Sequence, residues 1–368
     1  MRTAVLILGT SVAVFLPVFS ARTASVLEEA LLRRATASPI LVGRKGDPFD
    51  LTLAALYFRG SVHDPIPYGT RERLAHSGRA VAINVGHTAS GTPVVGTELG
   101  YFAARGLQVV DGRRFAVLGE VVAGSEAASA FRLAAGDRIR TDASNLYDLS
   151  GGYPYVLEVV GVLAPSDSPD DSAFFVDVKT TWMLDGALHG HTDVTAEQAV
   201  DPDREEDGNL EASAAIFLTQ EVTDETRGTF HLHGAADALP VSGFVVFPHD
   251  TRRHDQLLGD LALDAELAAV RPVEVVRTVL EIVLRLQDGL RAAFLLVAVA
   301  TVGFFVLVLS LTLQLRADEL TLLRRMGSSR TAVLWIVGTE VALVAATATV
   351  IGASAAWLGA AQVALAVY

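Results

Sequence analysis

The sequence predicts a membrane protein with three α-helical transmembrane segments, a large α+β domain outside the cytoplasm, and a helical stalk. Two long apolar runs near the C-terminus flank a short arginine-rich stretch, and a third apolar run opens the chain. The composition fits this architecture. With 51% hydrophobic and 19% charged residues, the chain is too apolar for a typical soluble protein and too charged to lie entirely in lipid.

The net charge of −13 comes mostly from the segment between the first and second apolar runs. Nucleic acid is therefore not an expected partner. The chain contains no cysteine, which excludes disulfides and thiol chemistry. A large outer domain can fold without disulfides when its core is big enough.

The first apolar run, Thr3–Ala21, carries no charge. It is long for a signal peptide, and Pro17 near its outer end is tolerable in a membrane helix. A cleaved signal peptide remains the alternative, since small residues follow the run. In either case the chain from Thr23 onward emerges on the far side from the cytoplasm.

The middle of the chain mixes strand and helix patterns without strict alternation, which favours an α+β domain. Strands are expected at Leu51–Phe58 and Phe115–Val122, and helices at Ser125–Leu133 and Leu257–Leu267. The acidic stretch Gly186–Gly208 is expected to form an exposed loop. Pro272 suits the first turn of a helix that runs into the second apolar segment as a stalk.

The stretch 316–330 carries four arginines and two acids between apolar runs that are each long enough to span a membrane. Short arginine-rich loops stay in the cytoplasm. This assignment sets the topology of the whole chain. The expected boundaries are 1–21 for the first membrane helix, 22–268 for the outer domain, 269–291 for the stalk, 292–315 for the second membrane helix, 316–330 for the cytoplasmic segment, and 331–368 for the third membrane helix and a short tail.

Within this segment, Leu320, Leu323 and Met326 follow one another at three-residue spacing, so one face of a short helix is apolar. Gly327 suits its C-terminus. One interpretation is a helix lying on lipid with its arginines reaching into water. The other is a plug that inserts into a groove on a cytoplasmic partner.

Glu340 is the sole charged side chain in the last apolar run. A carboxylate within a membrane helix is costly and usually faces a protein partner or water. It predicts either a polar contact or substrate path in the helix bundle, or an ion pair with a nearby arginine close to the cytoplasmic interface.

Two His-x-His pairs, His189 with His191 and His231 with His233, supply nitrogen ligands suited to zinc or copper. Residues two apart in a strand share a face. Polar loops also accumulate histidines without binding metal, and no carboxylate spacing fixes a geometry here.

Signatures of common enzymes are missing from the sequence. No GxxxxGK[ST] phosphate-binding loop, HExxH or GxSxG motif occurs. The chain is therefore not expected to be an enzyme or to hydrolyse ATP itself.

One set of residues resembles a known signature: Arg316, Glu319, Leu322, Leu323, Arg324, Met326, Gly327, Ser329, Arg330 and Glu340. It is similar to the segment that joins the second and third membrane helices in the MacB/FtsX family of ABC transporter permeases. In that family the segment docks on a separate ATPase subunit. Val121–Ile139 also looks like the family's Gly-x-x-x-Ala…Gly-Asp turn.

The resemblance implies a MacB-like outer domain and a permease subunit that transmits ATPase motion across the cytoplasmic (inner) membrane, for export or extraction of a lipid, lipoprotein or peptide. ATP and Mg²⁺ would bind the partner ATPase. A second permease copy or a homologous permease, and membrane lipid, are further implied partners. The implied ATPase-docking residues are Arg316, Glu319, Leu320, Leu323, Arg324, Met326 and Gly327. Family permeases normally have four membrane helices, whereas three are expected here, with a fourth either lost or supplied by another chain.

Two other functions stay open. The histidine pairs are compatible with a membrane-anchored metal-binding or sensor protein. An FtsX-like activator of a cell-wall enzyme shares the same layout without transporting a molecule.

Overall fold

The computed structural model describes residues 2–60, 64–143, 154–190, 222–223, 225–232, 235–326 and 329–367. The chain forms two compact units. Met1–Leu32 together with Val276–Tyr368 form a helical unit, and Arg33–Val275 form a sheet unit. The predicted α+β domain and long apolar helices are confirmed.

The described α-helices are α1 (Arg2–Thr36), α2 (Pro48–Tyr57), α3 (Thr70–Ala75), α4 (Leu99–Arg105), α5 (Ser125–Phe131), α6 (Val178–Leu184), α7 (Thr251–Ala262), α8 (Pro272–Leu315), α9 (Ala317–Arg325) and α10 (Arg330–Val367). The described strands are β1 (Ile40–Arg44), β2 (Ile66–Pro67), β3 (Gly78–Ala89), β4 (Thr92–Thr97), β5 (Val109–Gly112), β6 (Glu120–Ala123), β7 (Arg138–Arg140), β8 (Val156–Leu163), β9 (Phe174–Asp177), β10 (Leu188–Gly190), β11 (Phe230–Leu232), β12 (Pro240–Val241), β13 (Gly243–Pro248) and β14 (Leu267–Val270).

In the helical unit, three of the described helices are long and apolar enough to cross a membrane. The candidate spans are Thr3–Thr36, Pro272–Leu315 and Gly338–Val363, with mean hydropathies of 2.2, 2.8 and 1.9. Most of their side chains are exposed in the isolated chain, as expected for surfaces that contact lipid.

Helices α1 and α10 pack closely through small residues. The hydroxyl of Ser11 donates to the carbonyl of Ala348 over 3.0 Å. A β-carbon placed on Gly352 would overlap the carbonyl oxygen of Ser11 and lie 3.1 Å from the β-carbon of Val14. Close approach of this kind is typical of membrane helices, where packing rather than the hydrophobic effect holds helices together.

The sheet unit is built on a mixed sheet of ten described strands in the order β14-β1-β13-β3-β4-β9-β6-β8-β5, with β7 also paired to β8. The β4–β9 and β6–β8 pairs are parallel, and the other pairs in this sheet are antiparallel. Such mixing distinguishes the domain from a doubly wound sheet, in which strands and helices alternate.

Helix α6 anchors the core against this sheet. Asp177 caps its N-terminus by accepting a hydrogen bond from the Lys179 amide over 2.9 Å. The helix then buries Trp182 completely, and the indole nitrogen donates to the carbonyl of Pro240 over 2.8 Å. A buried indole thus keeps its hydrogen bond, as buried Trp side chains usually do.

The strand expected at Leu51–Phe58 is wrong, because these residues belong to α2 and its C-cap. Asp47 accepts a hydrogen bond from the amide of Phe49 over 2.8 Å, and Pro48 occupies the first helical turn. This Asp-Pro start signal outweighs the strand-like appearance of the apolar run.

Two further elements are shorter than expected. The strand expected at Phe115–Val122 begins only at Glu120, whose carboxylate accepts hydrogen bonds from two preceding amides and so closes a turn. The helix expected at Leu257–Leu267 ends at Ala262, and Leu267 begins β14. Asp264 caps that break by accepting from the amides of Glu266 and Leu267.

The units also differ from the expected boundaries. Helix α1 continues without interruption from the membrane span to Thr36, and the sheet unit includes its last turn from Arg33. At the other end, β14 extends to Val270 before α8 begins at Pro272. Most of the predicted loop Gly186–Gly208, from residue 191 onward, lies outside the described residues.

Candidate functional site

The segment between the second and third membrane helices forms the short helix α9. Asp318 and Glu319 lie in its first turn, where negative charge favours a helix N-terminus. Beyond α9, the hydroxyl of Ser329 accepts a hydrogen bond from the amide of Ala332 over 3.1 Å and so caps α10. The sequence therefore ends one helix and starts the next within a few residues.

This segment exposes apolar side chains. Leu322 and Met326 are 60% and 70% exposed, although both follow a long apolar helix. Exposed apolar residues on a short charged helix indicate a surface that another molecule covers.

The predicted docking residues occupy this segment as follows. Arg316 and Glu319 are exposed, and Met326 ends the helical turn. The backbones of Leu320, Leu323 and Arg324 lie in α9. Gly327 lies outside the described residues.

Glu340 forms an ion pair with Arg316. The guanidinium of Arg316 donates to the carboxylate over 3.1 Å, and both side chains are about half exposed. Of the two interpretations of Glu340, the structure contains the pairing with a nearby arginine.

The same ion pair sets the register of α10 against the end of α8. Arg316 directly follows α8, whereas Glu340 lies well inside α10. The ten residues before Glu340 span about 15 Å of helix. The beginning of α10 therefore extends past the end of α8.

A shallow groove of 430 Å³ runs along the first turns of α10. Trp335 in its lining is 73% exposed. The lining residues are Thr331, Trp335, Gly338, Thr339 and Ala342. The apolar surface of α9 is therefore extended by a second apolar patch next to it in sequence.

One histidine of each pair lies on a small two-stranded sheet. His189 in β10 and His231 in β11 are direct cross-strand partners. His191 and His233 lie outside the described residues. Among the side chains that the structure describes, no group of three or more His, Cys, Asp or Glu residues is arranged to hold a metal.

Sequence reasoning missed a buried ion network at the end of α1. Arg34 makes a bidentate ion pair with Asp170, and the exposed fractions of their side chains are only 2% and 1%. The Nε–H of Arg34 donates to the carbonyl of Leu56 over 2.9 Å, and the hydroxyl of Tyr101 donates to Asp170 over 2.6 Å. All of these residues belong to the sheet unit.

Further partners complete the network. The Ser168 hydroxyl donates to Asp170 over 2.9 Å, and Arg105 lies 3.7 Å from the same carboxylate. Arg105 also donates to the hydroxyl of Ser38, two residues beyond the end of α1. The last turn of α1 and the residues after it are thus held by charged groups from distant parts of the chain.

The electrostatics of this network follow from burial and pairing. Burial alone would raise the pKa of Asp170, but the charge and hydrogen bonds of Arg34 lower it to about 2. Burial likewise opposes the charge of Arg34, yet Asp170 raises its pKa above the ordinary value. Both groups therefore stay charged at neutral pH despite lying in the interior.

A second polar pair links Tyr68 and Glu98. The phenol donates to the carboxylate over 2.6 Å, and Arg71 lies 3.3 Å from the same oxygen. Burial raises the pKa of Glu98, although the hydrogen bond from Tyr68 and the charge of Arg71 oppose this. The charged form of Glu98 is therefore costly in the fold.

Comparison with known proteins identifies the family. The model of the MacB-like periplasmic core domain matches residues 9–207. No curated protein sequence matches the chain.

Two solved structures align with this chain at low similarity. The periplasmic region of MacB from Actinobacillus actinomycetemcomitans is 11% identical, with a TM-score of 0.35, over 66% of this chain and 92% of that one. The extracellular domain of the ABC-type transporter YknZ from Gram-positive bacteria is 13% identical, with a TM-score of 0.33, over 63% of this chain and 98% of that one.

The domain model covers more than half of the chain and includes the network around Arg34 and Asp170. Together with the apolar helices, it describes a membrane protein with an extracytoplasmic domain. The chain belongs to the MacB-like periplasmic core domain family and is a MacB/FtsX-like ABC transporter permease.

Proposed function

We propose that the chain is a multi-pass permease subunit of the cytoplasmic (inner) membrane that transmits the motion of a separate ATPase to its outer domain. That motion would export or extract a lipid, lipoprotein or peptide. The observation that carries this proposal is the continuity of α8, which joins the sheet unit to the cytoplasmic segment without a break.

The length of α8 supports transmission over a long distance. Its 44 residues correspond to about 66 Å of helix, against about 30 Å of hydrocarbon. The membrane therefore accounts for less than half of it. An unbroken helix moves as a rigid rod, so a displacement of Leu315 would also displace Pro272.

Helix α1 supplies a second connection. It is also continuous, and its last turn is fixed to the core of the sheet unit through Arg34 and Asp170. Breaking a buried ion pair costs about 3–5 kcal/mol, so this attachment resists being pulled apart. Movement of α1 would therefore carry the outer domain along.

The cytoplasmic end offers a docking surface for the ATPase. Leu322 and Met326 on α9 and Trp335 on α10 are apolar and exposed. Arginines flank them, and Trp and Arg are frequent anchors in protein interfaces. The sequence contains no phosphate-binding loop of its own. ATP and Mg²⁺ would accordingly bind the partner, and a second permease copy would complete the assembly.

The test is co-purification with an ATPase. The full chain would be isolated from its native membrane in mild detergent, and proteins carrying a phosphate-binding loop would be identified by mass spectrometry. The L323D/R324E variant alters two of the predicted docking positions on α9. We expect it to reduce ATPase recovery at least tenfold.

The matched control places the same chemical changes on the outer domain. Leu263 is 90% exposed and Arg252 lies on α7. The L263D/R252E variant should recover as much ATPase as the wild type. Equal recovery with L323D/R324E would contradict the docking role of α9.

A further inference from the structure

Arg316 is the single residue between helices α8 and α9. Its amide donates to the carbonyl of Thr312 over 3.1 Å, so Arg316 still closes the last turn of α8. Helix α9 begins at the next residue, Ala317. The direction in which α9 leaves the end of α8 is therefore determined at Arg316.

Glu340 reaches this junction from α10. Its carboxylate accepts a hydrogen bond from the guanidinium of Arg316 over 3.1 Å. Glu340 lies two residues inside the candidate membrane span that begins at Gly338. A carboxylate at the edge of the hydrocarbon is costly without a partner, so its pairing with Arg316 stabilises the junction between the helices.

The junction matters because α9 buries little surface of its own. Each α9 side chain that the structure describes is exposed. A short helix without a buried face is held by its two connections, which here are Arg316 at one end and the Ser329 cap of α10 at the other. The placement of α9 therefore depends on the ion pair between Arg316 and Glu340.

The same ion pair changes the role expected of Arg316. The family resemblance implies that Arg316 contacts the ATPase, yet its guanidinium already binds an acid of its own chain. A guanidinium whose charge is offset by a neighbouring carboxylate attracts an acidic partner only weakly. Arg316 is therefore better suited to holding α9 than to contacting another protein.

We propose that Arg316 and Glu340 are positioning residues. Their ion pair fixes α9 at the angle at which the ATPase binds it, and Arg316 does not itself contact the ATPase. This inference rests on the proposed docking of α9. It goes further by removing Arg316 from the contact surface and by giving Glu340 a role in docking.

A double-mutant cycle separates positioning from contact. ATPase recovery would be measured by co-purification for R316Q, E340Q and R316Q/E340Q. Because an exposed ion pair contributes modestly, we expect each single variant to lower recovery about threefold. The double variant should lower recovery no further, since either change breaks the same pair. R316E/E340R restores the pair with its charges exchanged and should recover nearly as much ATPase as the wild type.

Direct contact by Arg316 would give a different pattern. E340Q would then recover as much ATPase as the wild type, R316E/E340R would stay as weak as R316Q, or the two single losses would multiply in the double variant. Each of these results overturns the positioning role and leaves the docking of α9 in place. Failure of docking itself is seen separately, as equal recovery by the wild type and L323D/R324E.

The position of α9 can also be measured without the partner. Because the chain lacks cysteine, T321C on α9 and T347C on α10 allow two spin labels to be placed at exposed positions. Double electron–electron resonance of the full chain in lipid nanodiscs measures the distance between them. The distance distribution should be at least twice as wide in E340Q as in the parent and narrow again in R316E/E340R.

An ion pair within α8 provides the matched control. Glu281 pairs with Arg285 one turn away, and both side chains are exposed. E281Q should leave both the distance distribution and the ATPase recovery unchanged. A distribution in E340Q as narrow as that in E281Q would overturn the proposal, whatever the ATPase recovery.

Discussion

Asp170 keeps its charge in the protein interior because the guanidinium of Arg34 neutralises it. Neither residue stands out in the sequence. Arg34 follows a run of ordinary helical residues, and Asp170 lies in an acidic turn 136 positions later. Local patterns cannot predict which distant charges meet, so this network could not be derived from the sequence.

The D170N variant tests the strength of the network. It leaves the charge of Arg34 buried without a counterion, which costs about 3–5 kcal/mol. Urea unfolding of the full chain in detergent would measure this loss. The chain has three tryptophans, so replacing Trp335 and Trp357 by Phe leaves the buried Trp182 as the reporter of the sheet unit.

An exposed ion pair serves as the control. Arg44 and Glu266 lie 3.0 Å apart at the surface, with 75% of the Glu266 side chain exposed. The E266Q variant should cost no more than about 1 kcal/mol. A D170N variant as stable as E266Q would show that the buried pair does not hold α1 in place.

The contribution of Asp170 to the stability of the fold should also depend on pH. Its pKa in the fold is about 2, below the value of about 3.9 in an unfolded chain. Its stabilising effect is therefore present above pH 4 and is lost as the pH falls towards 2. The stability difference between wild type and D170N, measured by the same unfolding experiment, should shrink over that range. A constant difference from pH 7 to pH 2.5 would contradict the ion pair.

Glu98 should behave in the opposite way. Burial raises the pKa of Glu98, so the fold favours its protonated form. The contribution of Glu98 to the free energy of unfolding is therefore most favourable at low pH and declines as the pH rises through that pKa. The E98Q variant removes the charge and can still accept the hydrogen bond from Tyr68. Its thermal midpoint should exceed that of the wild type at pH 7.5 and match it at pH 4. A lower midpoint at pH 7.5 would show that the ion pair with Arg71 outweighs the cost of burial.

Among the elements, long helices were predicted better than short strands. Pro272 correctly predicted the start of α8. Proline is favoured in the first turn of a helix, and the apolar residues after it repeat at helical spacing over many residues. Leu51–Phe58 was assigned to a strand although Asp47 and Pro48 start a helix there. A short apolar run is too brief to show whether its apolar residues repeat at helix or strand spacing. The capping residues before it therefore determine which element forms.

The packing of α1 on α10 gives a prediction at this scale. The G352V variant places a side chain against the carbonyl of Ser11 and should separate the two helices. Cross-linking of an S11C/A348C pair in the cysteine-free chain would measure this. We expect the cross-link yield to fall at least fivefold.

A second glycine provides the matched control for G352V. No atom lies within 4 Å of a β-carbon built at Gly303 on α8. The G303V variant should cross-link as fully as the parent S11C/A348C chain. Equal yields for G352V and G303V would contradict the close packing at Gly352.

For the whole molecule, the alternation of apolar runs with a charged loop correctly predicted three long apolar helices and the α+β domain. The order of the strands in the sheet could not be predicted from these patterns, since β1 pairs with β13 and β14, which come much later in the chain. Pairing of this kind depends on tertiary packing, which residue patterns in one segment do not encode. The roles of the docking residues stay predictions.

The central claim is that α9 faces the cytoplasm while the sheet unit faces outward. Because the chain lacks cysteine, the S329C and D260C variants each carry a single thiol, and a membrane-impermeant maleimide reports which side it occupies. In intact cells, or in spheroplasts if an outer membrane is present, D260C should be labelled and S329C should be labelled only after permeabilisation. Labelling of S329C before permeabilisation would contradict the account.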